Sequence, residues 1–308
     1  MSLSTIESPT GGGAPSPHDG PRLSRVRWRT ARAAASTLLV IVAAWLAYTL
    51  VIEQPTNQRD WAPGFETAAT FEISGADVTV QSIRDYRWSE AAVLVEHRQD
   101  RTIRLESIVR SWFMYEPFRD RLTGEAAGVA HTYFVFDFAD QPPLGVSVEA
   151  RRERDETYNV LWGLLNQYEL MYVWATEEDL TIRRGVDPNA QLYMVPLTIP
   201  VDWSRSLLLE LARSTAALTE KPRFYNTLTS NCTSELAKVS NRLRPGTIPP
   251  SLAWVVPGVS LAELHRLGYV RNDVPLDELK RRYYISDLVR EIRDAPDFSA
   301  RLRQYLDT

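Results

Sequence analysis

Alternation of apolar and polar residues predicts two long neighbouring strands near the middle of the chain. In residues 128–138, phenylalanines at alternate positions form one face, and the opposite face carries His131. Residues 144–151 alternate in the same way after a short turn, with Glu149 and Arg151 on the face opposite the apolar one. The three polar residues are therefore predicted to project from the same face of one sheet.

The register between these strands decides which side chain faces His131. Pairing of Phe138 with Leu144 is one possibility. It places His131 opposite Arg151, and Glu149 then lies on the diagonal, about 7–8 Å away. A shift of two residues instead places Glu149 directly opposite His131. Both registers keep the three polar residues on one face.

Weaker patterns predict further strands early in the chain and helices late in it. The predicted strands cover residues 71–73, 78–83, 101–105, 107–115, 170–174 and 191–197. The predicted helices cover residues 155–165, 202–221, 231–243 and 260–267, with two amphipathic helices within 275–306. Strands followed by helices predict an α+β fold, with an antiparallel sheet packed on helices.

The N-terminal region has a different pattern. Residues 1–32 combine Gly, Pro and Ser with five arginines, which predicts a disordered basic tail in the cytoplasm. Residues 33–52 contain no charge and, as a helix, would extend about 30 Å, the thickness of a bilayer core. A cleaved signal peptide is the alternative, but the run is too long and lacks a small-residue cleavage site. The arginine flank predicts a signal anchor with residues 53–308 outside the cytoplasm.

The charge balance argues against a nucleic-acid partner. Five Arg and two acidic residues fall in positions 1–52, so the remainder has 30 basic and 37 acidic residues and a net charge of −7. No basic stripe with interleaved aromatic residues is present, so nucleic-acid binding is not expected. A single cysteine cannot form an internal disulfide, and in an exported domain it is either shielded by burial or kept for chemistry.

That cysteine, Cys232, lies at a predicted helix start. Ser230 and Asn231 are favourable N-cap residues, and apolar residues follow at helical spacing. The unpaired amides and the positive end of the helix dipole would favour a thiolate there. A buried structural cysteine is the alternative. The polar residues on both sides of Cys232 favour the nucleophile.

A thiol nucleophile needs a base, and His131 is the best candidate. Glu149 could accept a proton from the second ring nitrogen and orient the imidazole. A cysteine at a helix N-terminus facing a histidine on a sheet is the papain-like arrangement, permuted here because the histidine precedes the cysteine. The Cys232 amide and that of Asn231 or Thr233 would hold the oxyanion. The alternative for His131 is a buried histidine bound to a backbone carbonyl.

Three other residues are candidates for substrate binding. Arg151 and Arg152 could bind a phosphate or carboxylate, although ion pairs with Glu153 and Asp155 are an equal alternative. Asn231, beside the cysteine, is the third. Metal binding is disfavoured, because no paired Cys or His spacing occurs. No cofactor is expected.

Six segments, in the same order, resemble the Lnb-type periplasmic domain family over roughly residues 57–245. They are Asn57–Trp61, Ile83–Tyr86, His131–Phe136, Ser147–Glu153, Glu178–Arg183 and Phe224–Thr233. The resemblance implies a permuted papain-like fold, with Cys232 as the nucleophile and His131 as the base. Glu149 matches the family's S-x-E-x-R-R-E stretch, but its orienting role rests on the strand geometry alone.

The resemblance also implies an activity, because the best-known members are bacterial lipoprotein N-acyltransferases. They move a fatty acyl chain onto the amino group of a lipoprotein's N-terminal cysteine. Many members carry a further membrane-spanning part after this domain, and no apolar run after Ile52 is long enough for one. The matched segments carry the fold and the Cys–His pair but not the lipoprotein substrate.

The sequence thus predicts a membrane-anchored, extracytoplasmic thiol acyltransferase that acts on lipoprotein or lipid acyl esters. A cysteine peptidase or amidase acting on cell-envelope peptides is the main alternative, and a non-catalytic envelope protein is the third. The predicted thiol-enzyme domain spans residues 57–258, followed by a helical extension at 259–308. The predicted partners are the membrane, through residues 33–52, and a membrane lipid or lipoprotein substrate.

Overall fold

The computed structural model describes residues 22–89, 92–119 and 126–308. The chain divides into two compact units, Met1–Glu53 and Gln54–Thr308. The second unit contains the predicted thiol-enzyme domain together with the predicted C-terminal extension.

The N-terminal unit contains helix α1 (Arg22–Ala47) and a short π-helix (Tyr48–Ile52). The first 21 residues of the predicted tail lie outside the described residues, and the chain is helical from residue 22. The membrane-spanning helix predicted over residues 33–52 is not supported, since within the described residues no helix is long and apolar enough to cross a membrane.

The described part of the second unit has ten strands, several of them at the predicted positions. They are β1 (Thr70–Ser74), β2 (Asp77–Arg84), β3 (Arg87–Trp88), β4 (Val93–Val95), β5 (Arg98–Arg104), β6 (Ile108–Arg119), β7 (Ala126–Phe138), β8 (Leu144–Arg151), β9 (Glu169–Thr176) and β10 (Tyr193–Pro196).

Eight of these strands form one mainly antiparallel sheet, as predicted. Its order is β1-β2-β9-β8-β7-β6-β10, and β5 also pairs with β2. The one parallel contact among the described strands joins β2 to β9 at Arg84 and Ala175. Strands β3 and β4 form a separate two-stranded sheet. The site strands β7 and β8 lie inside the main sheet, so their positions are fixed from both sides.

The observed register of β7 and β8 is the shifted one. Phe136 lies opposite Leu144, whereas Phe138 pairs with Ile108 on β6. The loop between β7 and β8 is therefore longer than the predicted turn. Continued along the strands, this register places His131 opposite Glu149.

Eight α-helices are described over the whole chain. After α1 they are α2 (Glu177–Gly185), α3 (Val201–Glu220), α4 (Cys232–Leu243), α5 (Ser260–Leu267), α6 (Leu276–Arg282), α7 (Ser286–Ile292) and α8 (Phe298–Leu306). Together with the sheet they confirm the predicted α+β class. The sequence interpretation missed α2, although Thr176 caps it and accepts a hydrogen bond from the amide of Asp179.

The helix predicted over residues 155–165 is wrong. Only a 3₁₀ turn at Trp162–Leu164 occurs there. The Asn159 side chain accepts a hydrogen bond from the Leu161 amide, and Tyr168 Oη accepts one from the Asn159 amide. These side chains satisfy backbone donors that a helix would use, which favours an irregular loop.

The C-terminal region has three short helices where two were predicted. Residues 283–285 interrupt the helix between α6 and α7, where backbone hydrogen bonds join Tyr283 and Ile285 to Met194 and Leu192, within and beside β10. Pro296 then separates α7 from α8, because proline disrupts a continuing helix.

Helices cover both faces of the sheet around β7. Helices α3 and α4 pack against β6–β9 on the face of Thr132 and Phe134. The opposite face, expected to be less apolar, is also buried: Arg184 of α2 lies over the Tyr133 ring, and Arg303 of α8 pairs with Asp137. Polar residues on this face are therefore held in a low-dielectric environment, where their mutual interactions are strong.

Replacement of Arg303 with methionine is expected to destabilise the second unit by about 3–5 kcal/mol, since it leaves the buried carboxylates of Asp137 and Glu177 without their cation. Urea unfolding measures the change in free energy. The control is Arg301→Met on the same helix, whose ion pair with Asp297 is exposed and is worth about 0.5 kcal/mol or less. Equal unfolding free energies for the two variants would contradict the proposed role of Arg303.

Candidate active site

Cys232 is the first residue of α4, as the sequence predicts. Asn231 is the N-cap: its side chain accepts a hydrogen bond from the Ser234 amide at 2.8 Å, and Ser234 Oγ accepts one from the Asn231 amide at 2.9 Å. This reciprocal capping box fixes where the helix begins. The thiol is consequently held at the positive end of the helix dipole, with only 3% of the residue exposed.

Asn231 has a positioning role in this geometry. Its Nδ2 donates to the carbonyl oxygens of Thr227 at 2.8 Å and Trp254 at 2.7 Å, while its Oδ1 accepts the capping bond. The side chain predicted to bind substrate therefore ties two loops to the start of α4.

Two amides at the helix start remain available for an oxyanion. The Asn231 amide is used by Ser234, which removes one of the predicted donors. Among the described residues, the amides of Cys232 and Thr233 have no hydrogen-bond partner. The first turn of a helix directs such amides towards an approaching anion. These two amides are the available donors of an oxyanion hole.

Cys232 and His131 line the same cleft and interact with each other. The Cys232 thiol also donates to the Ala130 carbonyl oxygen at 3.7 Å. Burial raises the pKa of the Cys232 thiol, but the interaction with His131 outweighs it, so the net shift lowers this pKa. Burial and Arg184 lower the pKa of His131, but Glu149 and Cys232 outweigh them and raise it to about 9. Both shifts favour the thiolate–imidazolium form of the pair.

Ser147 links the imidazole to its carboxylate. His131 Nε2 lies 2.7 Å from Ser147 Oγ, which donates to Glu149 Oε1 at 2.7 Å; Nε2 itself lies 3.4 Å from that oxygen. Nδ1 is thus the nitrogen left for the thiol. The sequence predicts Glu149 as the orienting group but misses Ser147, although alternation along β8 places the two on the same face.

Arg184 completes the charge network. It pairs with Glu149 and, at 3.0 Å, with Glu116 on β6. Burial opposes ionisation of Glu149, but Arg184 and His131 outweigh it and hold its pKa well below the usual range. Glu149 is therefore an anion that stabilises the imidazolium form of His131.

The two arginines predicted to bind substrate have different environments. Arg151 donates to the carbonyl oxygens of Phe65 and Glu66, its guanidinium lies 4.0 Å from the Trp61 ring, and it does not line the cleft beside Cys232. Arg152 does line the cleft, and it donates to the Glu156 carbonyl oxygen at 3.3 Å. Within the described residues neither forms the alternative ion pairs with Glu153 or Asp155, so Arg151 is structural and Arg152 faces the site.

Cys232 and His131 line a cleft of about 490 Å³. One side of the cleft is polar, with His131, Glu149 and Cys232. Much of the remaining wall is apolar and includes Phe118, Val129, Val160, Leu164, Leu228 and Val256. A close approach of Gly258 to β7 fixes one part of this wall, since a Cβ at Gly258 would lie 2.6 Å from the Gly128 carbonyl oxygen. An activated thiol facing an apolar cleft is suited to nucleophilic attack on a carbonyl attached to a hydrocarbon chain.

The comparison with known families agrees with the resemblance drawn from the sequence. The family model described as the Lnb N-terminal periplasmic domain matches residues 96–255. This range contains Cys232, His131, Ser147 and Glu149. No curated protein and no solved structure matches the chain.

Proposed function

The chain belongs to the Lnb N-terminal periplasmic domain family, and from this premise we propose that it is a thiol acyltransferase with a permuted papain-like active site. The family is one of periplasmic domains, so the reaction would take place outside the cytoplasm. The proposed acyl donor is an ester of a membrane lipid or lipoprotein. The observation that supports this proposal best is the placement of Cys232 and His131, which interact with each other, at the polar end of a mainly apolar cleft.

In the first step, the Cys232 thiolate attacks the carbonyl carbon of the ester. The carbonyl oxygen becomes an oxyanion, which the amides of Cys232 and Thr233 stabilise. The carbon–oxygen ester bond then breaks, and the imidazolium of His131 gives its proton to the departing alkoxide. The products are an alcohol and a thioester on Cys232.

In the second step, an amine attacks the thioester carbonyl and His131, now neutral, accepts a proton from the nitrogen. The carbon–sulfur bond breaks, which yields an amide and restores the thiolate–imidazolium pair. Ser147 and Glu149 keep the imidazole oriented while its charge changes. Attack by water in place of the amine would give hydrolysis.

Intact-protein mass spectrometry tests the thioester intermediate. After incubation with vesicles that contain a diacylated lipopeptide, the wild-type chain is expected to gain the mass of one fatty acyl group. Hydroxylamine should remove it, because it cleaves thioesters. Cys232-dependent cleavage of a labelled envelope peptide, with no acylated protein, would overturn the proposal in favour of a peptidase or amidase.

A further inference from the structure

Arg183, in the last turn of α2, lines the cleft without a charged partner of its own. Its guanidinium packs 4.7 Å from the Trp88 ring and 5.6 Å from the Phe65 ring. Its Nη1 is buried and makes no hydrogen bond, and among the described residues no carboxylate pairs with it. A buried guanidinium normally pairs with an anion, because the desolvation of its charge is otherwise uncompensated.

The carboxylates around Arg183 are already used by other groups. Asp179 accepts hydrogen bonds from Arg84 at 2.8 and 2.9 Å and from Trp88 Nε1 at 2.9 Å. Glu149 accepts from Ser147 and Arg184, as described above. Glu149 and Asp179 lie close enough to act on the charge of Arg183, but among the described residues neither accepts a hydrogen bond from it.

Arg152 provides a second guanidinium at the same place. It lies 5.5 Å from the Phe65 ring, so Phe65 contacts both cations. Its hydrogen bond is with the Glu156 carbonyl oxygen, and among the described residues no carboxylate forms an ion pair with it. Guanidinium groups bind phosphate and carboxylate oxygens through paired N–H donors.

The charges that line the cleft also favour an anionic ligand. The lining has three arginines, Arg152, Arg183 and Arg184, against two carboxylates, Glu116 and Glu149. Cys232 and His131 add no net charge, whether the pair is neutral or a thiolate and an imidazolium. The excess of one positive charge lies in a cleft whose other walls are apolar, where an ionic interaction is weakly screened.

We propose that Arg183, together with Arg152, forms a subsite for an anionic oxygen group of the substrate, either a phosphate or a carboxylate. The preferred ligand is then an anionic amphiphile: its charged group contacts the two arginines and its hydrocarbon part contacts the apolar wall. The inference rests on the proposed function only in that it takes this cleft to be the substrate site. A cation at the C-terminus of α2 would also interact favourably with the helix dipole, and the experiment must separate that role from ligand binding.

Protection of Cys232 from alkylation measures occupancy of the subsite without requiring acyl transfer. The full chain is treated with iodoacetamide, which is neutral, in the presence of sub-micellar octyl phosphate, octanoate, octyl glucoside or inorganic phosphate. Octyl phosphate and octanoate are expected to slow the alkylation, and octyl glucoside is not. Protection by inorganic phosphate at the same concentrations would identify a free anion, and not an amphiphile, as the ligand.

Arg183→Gln is expected to raise the half-protecting concentration of octyl phosphate about tenfold or more, because charge-assisted hydrogen bonds are lost. Arg183→Lys, which keeps the charge but not the fork of donors, should give a smaller increase. The matched control is Arg266→Gln, which removes one exposed positive charge paired with Glu263 on α5.

Equal protection of the wild type by octyl phosphate and octyl glucoside would overturn the proposal, and so would an unchanged half-protecting concentration in a folded Arg183→Gln variant. If that variant does not fold, Arg152→Gln and the comparison of ligands on the wild type give the same decision. Anion-specific protection without any acylated protein would leave the subsite standing and refute the acyltransferase.

Discussion

A Cys232→Ala variant is expected to lose acyl transfer by about 10⁴-fold or more while keeping the wild-type fold. Cys232 is the only cysteine among 308 residues, so no other thiol can replace it as the nucleophile. Alanine removes the sulfur but suits the first position of a helix, and the capping box formed by Asn231 and Ser234 is unaffected. The rate of amide formation from a fluorescent acyl ester measures the loss.

The control for this variant is Ser240→Ala on the same helix. Ser240 is also buried, but its hydroxyl bonds only to the Leu236 carbonyl oxygen of its own helix. Activity within about twofold of the wild type is expected, since the change removes a local hydrogen bond and no reacting group. Retained acylation in a correctly folded Cys232→Ala protein would mean that another residue is the nucleophile.

A His131→Gln variant is expected to lose about 10²–10⁴-fold in rate near pH 7, with an altered dependence on pH. In the wild type, His131 must be protonated to give a proton to the departing alkoxide, and the pKa of His131 is about 9. Wild-type activity should therefore fall as the pH rises through about 9. Without the imidazolium, the Cys232 thiol ionises mainly above the ordinary cysteine pKa of about 8.5. The residual activity of the variant should therefore rise between about pH 8 and pH 9, where the wild-type activity falls. Parallel pH–rate profiles for the two proteins would contradict the assignment.

The fold around the site could be predicted from local patterns. Alternation along β7 and β8 was sufficient to place His131 and Glu149 on one face, because side-chain direction in a strand depends only on position. The capping signal at Asn231 likewise located the start of α4 and with it Cys232. Both inferences used interactions between residues close in sequence.

The remaining features depend on distant partners. The register of β7 and β8, with Phe136 opposite Leu144, leaves a longer loop than the predicted turn, and the hairpin sequence alone does not contain that information. The structural role of Arg151 follows from carbonyl groups of residues 65 and 66, some 85 positions away. The proposed role of Arg183 depends on Asp179, which already accepts hydrogen bonds from Arg84 and Trp88. These are tertiary contacts that composition and spacing do not specify.

The apolar run at residues 33–52 is a different case. Its composition predicts a helix across a bilayer, but within the described residues no helix is long and apolar enough to cross one.

The most direct test of the central claim is the pH dependence of Cys232 alkylation by iodoacetamide in the native full-length chain, compared with His131→Gln. A thiolate–imidazolium pair predicts rapid alkylation of the wild type well below pH 8.5, with the inflection shifted upwards by about one unit or more in the variant. An inflection at the same pH in both proteins, or native alkylation no faster than that of the denatured chain at neutral pH, would contradict the account.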